Sequence, residues 1–461
     1  MSDTVWRPLR AHGARPEGFG GVVLWPGDPA YEAARVVFNA MIDKRPAVIA
    51  QCESAADVAA AVRFGVAEGL EIAVRGAGHS VAGTGVSDGG LVIDLRKMRS
   101  VQLDPDARIV RVGGGATWGD LDGACWPYAL ATTGGRVSTT GVAGLTLGGG
   151  SGWLERKFGL ACDSLVSVEL VTATGELVIA DDTRNRELFW ALHGGGGNFG
   201  VATALTLRVR PLPGTALGRL FWPADAGPAV MRAYRDLFEG GAPEELGGSV
   251  FYSAAPIRDY VPPGLQGRPA VGVTATYTGS EAQLRSALAP VIDLAPEGMM
   301  LAELSYAEIQ SALDDPPGLR NYWSAEHLES WPDEAVDVFS ARAPEMPSPE
   351  TSQQLVCPWG GAVARYADRW PLPHRRAPWV VQSYGVWADP AEDARGIAWA
   401  RNVCADLKPY STGSVYLNFI GDEGPERVKA AFGDHYDRLA RVKAEFDPGN
   451  VFHLNQNIKP A

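Results

Sequence analysis

Apolar residues recur at helical spacing through ESAADVAAAVRFGVAEG at 53–69, and a Gly closes the run. Short β-rich stretches flank it, PAVIA before and LEIAVR after, so the pattern predicts strand, helix, strand. Further on, GLVIDL at 90–95, ARIVRVGGG at 107–115 and SVELVTATGELVIA at 167–180 alternate or cluster β-branched residues between turn signals, as strands and hairpins do. The first 210 residues therefore read as an α+β unit. After PLPG at 211–214 the glycine clusters stop and Trp, Tyr and Pro scatter among longer segments, which places a boundary near 213. Near the end, PERVKAAFGDHYDRLARVKAEF reads as one amphipathic helix stopped by DPGN. The polar run HLNQN that follows is expected to dock onto something specific.

The chain has 461 residues, more than one hydrophobic core usually serves, so at least two structural units are expected. A formal charge of −13 without a long basic run would repel a phosphate backbone, which excludes nucleic acid as a partner. No stretch has the apolar length of a membrane span, and the first residues lack the apolar core of a signal peptide, so a cytoplasmic protein is expected. Cys52, Cys125, Cys162, Cys357 and Cys404 are odd in number and lack metal-type spacing, so neither a zinc site nor a disulfide scaffold is indicated and buried free thiols are expected.

Candidate chemistry concentrates in three glycine clusters. In VRGAGHSVAG at 74–83 a strand runs into a turn with Gly76 and Gly78, followed by His79 and Ser80. Glycines let backbone N–H groups close on a phosphate, because no Cβ intervenes and positive φ is cheap. The GxGHS spacing is not the dinucleotide fingerprint of a Rossmann unit. The second cluster, GGRVSTTGVAGLTLGGGSG at 134–152, and the third, GGGGNFGV at 194–201, are interleaved with Val, Leu and Phe rather than polar like linkers. Together the three clusters suit one large cofactor.

The order RGAGHS, GVAGLTLGGGSGWLERKFGLACDSL, ELFWALHGGGGNFGV, YLNF and FDPGNVFHLNQNI resembles the FAD-linked oxidases related to berberine bridge enzyme, from about residue 42 to the last. The resemblance implies the vanillyl-alcohol-oxidase type of α+β fold. Residues 1–41 would pack on the FAD domain and 42–213 would form its two PCMH-type subdomains. Residues 214–410 would form a substrate domain with an antiparallel sheet, and 411–461 would return to the flavin. It implies FAD bonded through His79. Many relatives add a cysteinyl bond four residues before the Gly matching Gly141, where this chain has Val137, so a single linkage is expected, with Cys162 a packed thiol.

Arg75, Gly76, Ala77, Gly78 and Ser80, with Thr140, Gly141, Gly144, Gly149 and Gly150, would hold the pyrophosphate and ring edge. Val201 would meet the adenine half, and Asn455 the pyrimidine side. His193 replaces the commoner Arg and is expected at the surface. Relatives often take a catalytic base from the Tyr of a Y-x-N-Y motif, but Tyr416-Leu417-Asn418 is followed here by Phe419. Tyr416 and Asn418 are expected on one strand face near the flavin, with Gln382 and Tyr384, on one face of the strand after PHR, as the next candidates. Tyr252, Tyr322 and Trp323 are candidate pocket residues.

The activity expected is an oxidase of bacterial secondary metabolism acting on a secondary alcohol or activated carbon of a natural product or sugar, with O2 reduced to H2O2 and no metal. An oxygenating enzyme, a dehydrogenase with another acceptor and a catalytically silent flavoprotein remain alternatives. A monomer or homodimer would serve any of them.

Overall fold

The computed structural model describes Gly13, residues 15–314 and residues 316–461. The part of the N-terminal expectation that concerns residues 1–12 and 14 lies outside the described residues. Three large sheets organise the rest, beside a two-stranded pairing of Leu130–Ala131 with Arg210–Pro211. The first holds β1 (Val22–Leu24), β2 (Val48–Gln51), β3 (Ile72–Arg75) and β4 (Leu91–Asp94) in the order β1-β2-β4-β3. Strands β2, β4 and β3 run parallel, and β1 joins them antiparallel. The parallel step from β2 to β3 needs a crossover, and α1 (Ala55–Glu68) supplies it. Ser54 caps its first turn by accepting from the Asp57 N–H, and Gly69 ends it in the left-handed region at φ 65°.

The second sheet is antiparallel and contains β5 (Val101–Asp104), β6 (Ile109–Gly113), β7 (Leu165–Val171), β8 (Leu177–Asp181) and β9 (Val201–Arg208), ordered β5-β6-β9-β7-β8. Between β6 and β7 lie α2 (Trp118–Cys125), which begins with a Thr117–Asp120 capping box, and α3 (Val142–Leu147).

The third sheet is fully antiparallel. It holds β10 (Ala216–Pro223), β11 (Leu246–Ala254), β12 (Pro269–Tyr277), β13 (Gly298–Glu303), β14 (Arg320–Leu328), β15 (Gln353–Pro358) and β16 (Trp379–Trp387), ordered β13-β10-β12-β11-β15-β16-β14. One face packs into a core with helical residues such as Met231, Tyr234 and Phe339, and with Trp399 and Val403 of α4 (Asp393–Asp406). That core takes Leu220, Trp222, Val250, Tyr252, Val273, Val356 and Val381 from the sheet. The residues between them in each strand face the other way, by the period of two.

The C-terminal segment differs from its sequence reading. The stretch 425–446 is not one helix but two, α5 (Pro425–Phe432) and α6 (Tyr436–Phe446), broken where Gly433 adopts φ 49° and ψ −131°. In the last turn of α6, a fully buried Lys443 Nζ donates to Asp447 Oδ2 at 2.6 Å, to the Asn198 carbonyl at 2.6 Å and to the Phe452 carbonyl at 3.0 Å. Burial pushes the ammonium below its usual pKa range, and Asp447 opposes that shift. This charge cluster fastens the tail to the third glycine cluster. Among the described residues no helix is long and apolar enough to cross a membrane.

Candidate active site

A cleft enclosing about 2330 Å³ of space, its open mouth included, runs between the first two sheets, the third sheet and the C-terminal tail. One wall is mostly backbone. It comprises Arg75, Gly76, Ala77, Gly78, His79 and Ser80 after β3; Val137, Thr140, Gly141 and Gly144 around the start of α3; Gly194 to Gly197 and Gly200; and Asn455 and Gln456 from the tail. A Cβ added at Gly144, Gly196 or Gly197 would meet nothing within 4 Å, so these positions open onto the cleft. Gly141 is where the first two clusters touch, since a Cβ there would lie 3.0 Å from the Ala77 nitrogen.

Arg75 stiffens the first turn from beneath. Its guanidinium donates to the carbonyls of Ala34 (2.5 Å) and Val36, and Gly78, at φ 80°, packs so closely over it that a Cβ would come within 2.8 Å of Nε. His79 stacks on Phe38 with centroids 3.8 Å apart. Its Nε2 is enclosed with no hydrogen-bond partner among the described residues, and burial lowers its pKa to about 4, so the ring is neutral at physiological pH.

The opposite wall is made of side chains from the free face of the third sheet: Arg219, Ser249, Thr274, Trp323, Gln353, Leu355, Cys357, Gln382 and Tyr384. Trp323 and Tyr384 are cross-strand partners with rings stacked 4.3 Å apart. Leu417, Asn418, Phe419 and Ile420 close one end. The charged wall residues are Arg75, Arg136 and Arg219, and no Asp or Glu is among the described residues of the wall. Arg136 is paired with Glu155 at 2.8 Å.

Residues 46–181 match the FAD binding domain family, and residues 415–459 match the family described as berberine and berberine like. The chain is 31% identical to (R)-6-hydroxynicotine oxidase of Paenarthrobacter nicotinovorans, over 97% of this chain and 98% of that protein. It belongs to the berberine-bridge-like FAD-linked oxidoreductases. Xylooligosaccharide oxidase of Thermothelomyces thermophilus is 28% identical over 92% of this chain and 89% of its own length. The crystal structure of 6-hydroxy-D-nicotine oxidase from Arthrobacter nicotinovorans superposes with a TM-score of 0.86 at 29% identity, covering 97% of this chain and all of that one (100%). The α+β architecture and the FAD-linked oxidoreductase class are those of the family.

As a berberine-bridge-like protein, the chain has walls that fit a flavin: open glycine positions for close backbone approach, and an enclosed neutral imidazole whose Nε2 has no hydrogen-bond partner among the described residues. Several expected site residues lie elsewhere. Tyr416 is not in the cleft wall but fully buried behind it. Its hydroxyl oxygen accepts from the N–H groups of Gly150 (2.5 Å) and Ser151 (3.0 Å) and from Asn418 Nδ2 (2.9 Å). Burial raises its pKa far above the ordinary phenol. Nor do Tyr416 and Asn418 share a strand face, because residues 417–419 form a 3-10 turn. Gly149 and Gly150 also leave the wall, and Gly149 makes room for the Tyr416 ring, 3.0 Å from where its Cβ would be. Val201 is buried in the core of the first sheet rather than exposed to the cleft.

His193 is buried, not at the surface: it stacks on Trp370 at 3.5 Å, and its Nδ1 is 2.6 Å from the Phe189 carbonyl. Tyr252 and Tyr322 face the helix-covered side of their sheet, whereas Trp323 reaches the cleft. Every cysteine is free and buried, including Cys162. Cys357 reaches the wall, but burial holds its thiol at about 11, so it is protonated at neutral pH. The sequence reading missed Arg136, Arg219, Ser249 and Thr274. For Arg219 a signal existed, a lone charge inside the apolar strand ALGRLFWP.

Proposed function

We propose that the protein is an FAD-dependent oxidase whose flavin is attached covalently to His79 alone and whose substrate is oxidised against the side-chain wall opposite. The observation that carries this reading is the enclosed and neutral imidazole of His79, its Nε2 without a hydrogen-bond partner among the described residues, at the edge of a glycine-built wall. A neutral imidazole is a competent nucleophile and the oxidised flavin ring an electrophile. When bound, the flavin takes two electrons from the substrate and passes them to molecular oxygen, giving hydrogen peroxide.

The chain's own residues supply position and proton transfer. Tyr384, stacked on Trp323, is the candidate general base, since the described wall offers no carboxylate and Phe419 brings no phenol. Gln382 has an amide that orients a hydroxyl or carbonyl but cannot remove a proton at neutral pH. Tyr416 is a positioning residue, joining the C-terminal segment to the Gly150–Ser151 turn. Asn418, held by Tyr416 and by the Leu145 carbonyl at 3.0 Å, and Asn455 present amides to the cofactor side. The division into an FAD unit through residue 213, a substrate unit to 410 and a returning tail belongs to the same proposal.

Precipitation of the purified protein with trichloroacetic acid tests it. Yellow colour should stay with the pellet, and in His79→Ala it should move to the supernatant. Colour in the wild-type supernatant, or covalent flavin retained by His79→Ala, would overturn the linkage. The rate at which apoprotein incorporates FAD should stay flat as pH falls from neutrality and drop only as the imidazole protonates near 4. Peroxide released with substrate oxidation separates the oxidase from a dehydrogenase.

A further inference from the structure

Arg219 differs from the two other arginines of the cleft in having no acceptor among the described residues. Arg75 is spent on two carbonyls and Arg136 on Glu155. The Nε of all three is enclosed without a hydrogen-bond partner, but among the described residues only the Arg219 guanidinium of the three has neither a hydrogen-bond acceptor nor an ion-pair partner on its other nitrogens. Its guanidinium carbon lies 5.2 Å from the centroid of the Phe221 ring, a cation–π contact that supplies no hydrogen-bond acceptor oxygen for its N–H groups.

The surroundings worsen its position. Burial disfavours the charge, Tyr260 opposes that shift and nearby Arg258 adds to it, although a guanidinium stays protonated regardless. An enclosed, unpaired charge is costly unless a ligand completes it. The sheet register sets Arg219 opposite Thr274 and Thr274 opposite Ser249, so a cation and two hydroxyls form one row across β10, β12 and β11 on the cleft side. On the same face, Leu355 on the neighbouring strand β15 and, beyond it, the stacked Trp323–Tyr384 pair of β14 and β16 give apolar surface.

We propose that Arg219 is a specificity-determining residue that binds a carboxylate of the substrate, flanked by Thr274 and Ser249, so that the enzyme selects an acid with an apolar body. The inference rests on the oxidase reading for the fate of that acid, but the binding site itself does not. A guanidinium matches a carboxylate through paired N–H donors, and the row lacks any acidic residue that would repel one.

The holoprotein provides the test, with perturbation of its visible flavin absorption as the readout. Benzoate and phenylacetate are titrated against their neutral amides, benzamide and phenylacetamide. The acids should bind at least about tenfold more tightly than the amides, the value of a charge-assisted pair over a neutral one. Arg219→Met should bring the ratio near one with flavin content unchanged, and Arg219→Lys should keep part of it. Equal affinity in the wild type, no response to any of the four probes, or a preference undiminished in Arg219→Met would overturn the proposal. So would loss of flavin from a folded Arg219→Met, which would assign the guanidinium to the cofactor. The wild-type ratio decides even if that variant does not fold. Because binding is read without turnover, a protein that prefers the acids but forms no peroxide from any substrate sinks the oxidase reading alone.

Discussion

The two walls of the cleft are built on opposite principles. On the glycine-rich side the chain withdraws: glycines crowd the wall, several of them opening directly onto the cleft, and in the proposed function the chemistry there comes from backbone and from His79. Across the gap the third sheet offers side chains from alternate positions of six of its strands, with the backbone hidden in the ladder. The first design tolerates no added atoms. The second tolerates them and changes its specificity, which suits a family that keeps one cofactor while its members' names range from a hydroxynicotine to a xylooligosaccharide oxidase.

The sharpest break of that contrast should come from Gly200→Val. Gly200 has φ 152°, and a Cβ there would lie 2.4 Å from Leu170 Cδ2 and 2.5 Å from the Val171 carbonyl oxygen. Strain of about 1–3 kcal/mol and overpacking of similar size act together. Flavin content, read by absorbance per protein, should fall more than about tenfold. Thr274→Val on the opposite wall should leave it unchanged; equal losses from both would erase the distinction.

On the side-chain wall the largest effect should fall on chemistry rather than on cofactor retention. Tyr384→Phe should slow anaerobic flavin reduction by about 10²-fold, near 2.7 kcal/mol of barrier, with flavin content intact. An unchanged reduction rate in stopped flow would clear Tyr384 as the base.

The sequence made the first wall readable and most of the second not, and the difference is one of range. The strand, helix, strand reading of 46–75 matches β2, α1 and β3, because periodicity, a Ser cap and a Gly stop are local signals. Glycine clusters announce close backbone approach for the same reason. What failed depended on partners far along the chain. Tyr416 leaves the extended pattern to reach N–H groups more than 260 positions earlier, and nothing in YLNF encodes that. His193 has lost its water to Trp370, another residue remote in sequence. The break at Gly433 inside an otherwise amphipathic run was visible as a glycine, but periodicity on both sides outweighed it. Arg219 and Thr274 become neighbours only through the register of β10 with β12.

Tyr416 tests whether the seam between the walls is structural. Removing its hydroxyl in Tyr416→Phe strands the buried N–H groups of Gly150 and Ser151, at a cost of about 1–3 kcal/mol. Thermal unfolding should report that loss, while flavin reduction should slow far less than in Tyr384→Phe. A reduction rate that collapses with stability preserved would return Tyr416 to the chemistry.

The smallest change expected comes from adding what relatives often have. Phe419 faces the cleft and packs edge-on against Tyr416 at 4.6 Å, so Phe419→Tyr would place a phenol at the end of the cleft without displacing the residue behind it. If proton transfer belongs to the sheet wall, the added hydroxyl is a spectator, and flavin reduction should change by about twofold at most. The informative variant is the pair. Phe419→Tyr combined with Tyr384→Phe should remain as slow as Tyr384→Phe alone, because a base must lie within hydrogen-bond reach of the proton it takes, and the substrate would be oriented for the sheet. Recovery of the rate in the double variant would mean that the cleft accepts a base from either end, and that the division of labour between its walls is looser than their construction implies.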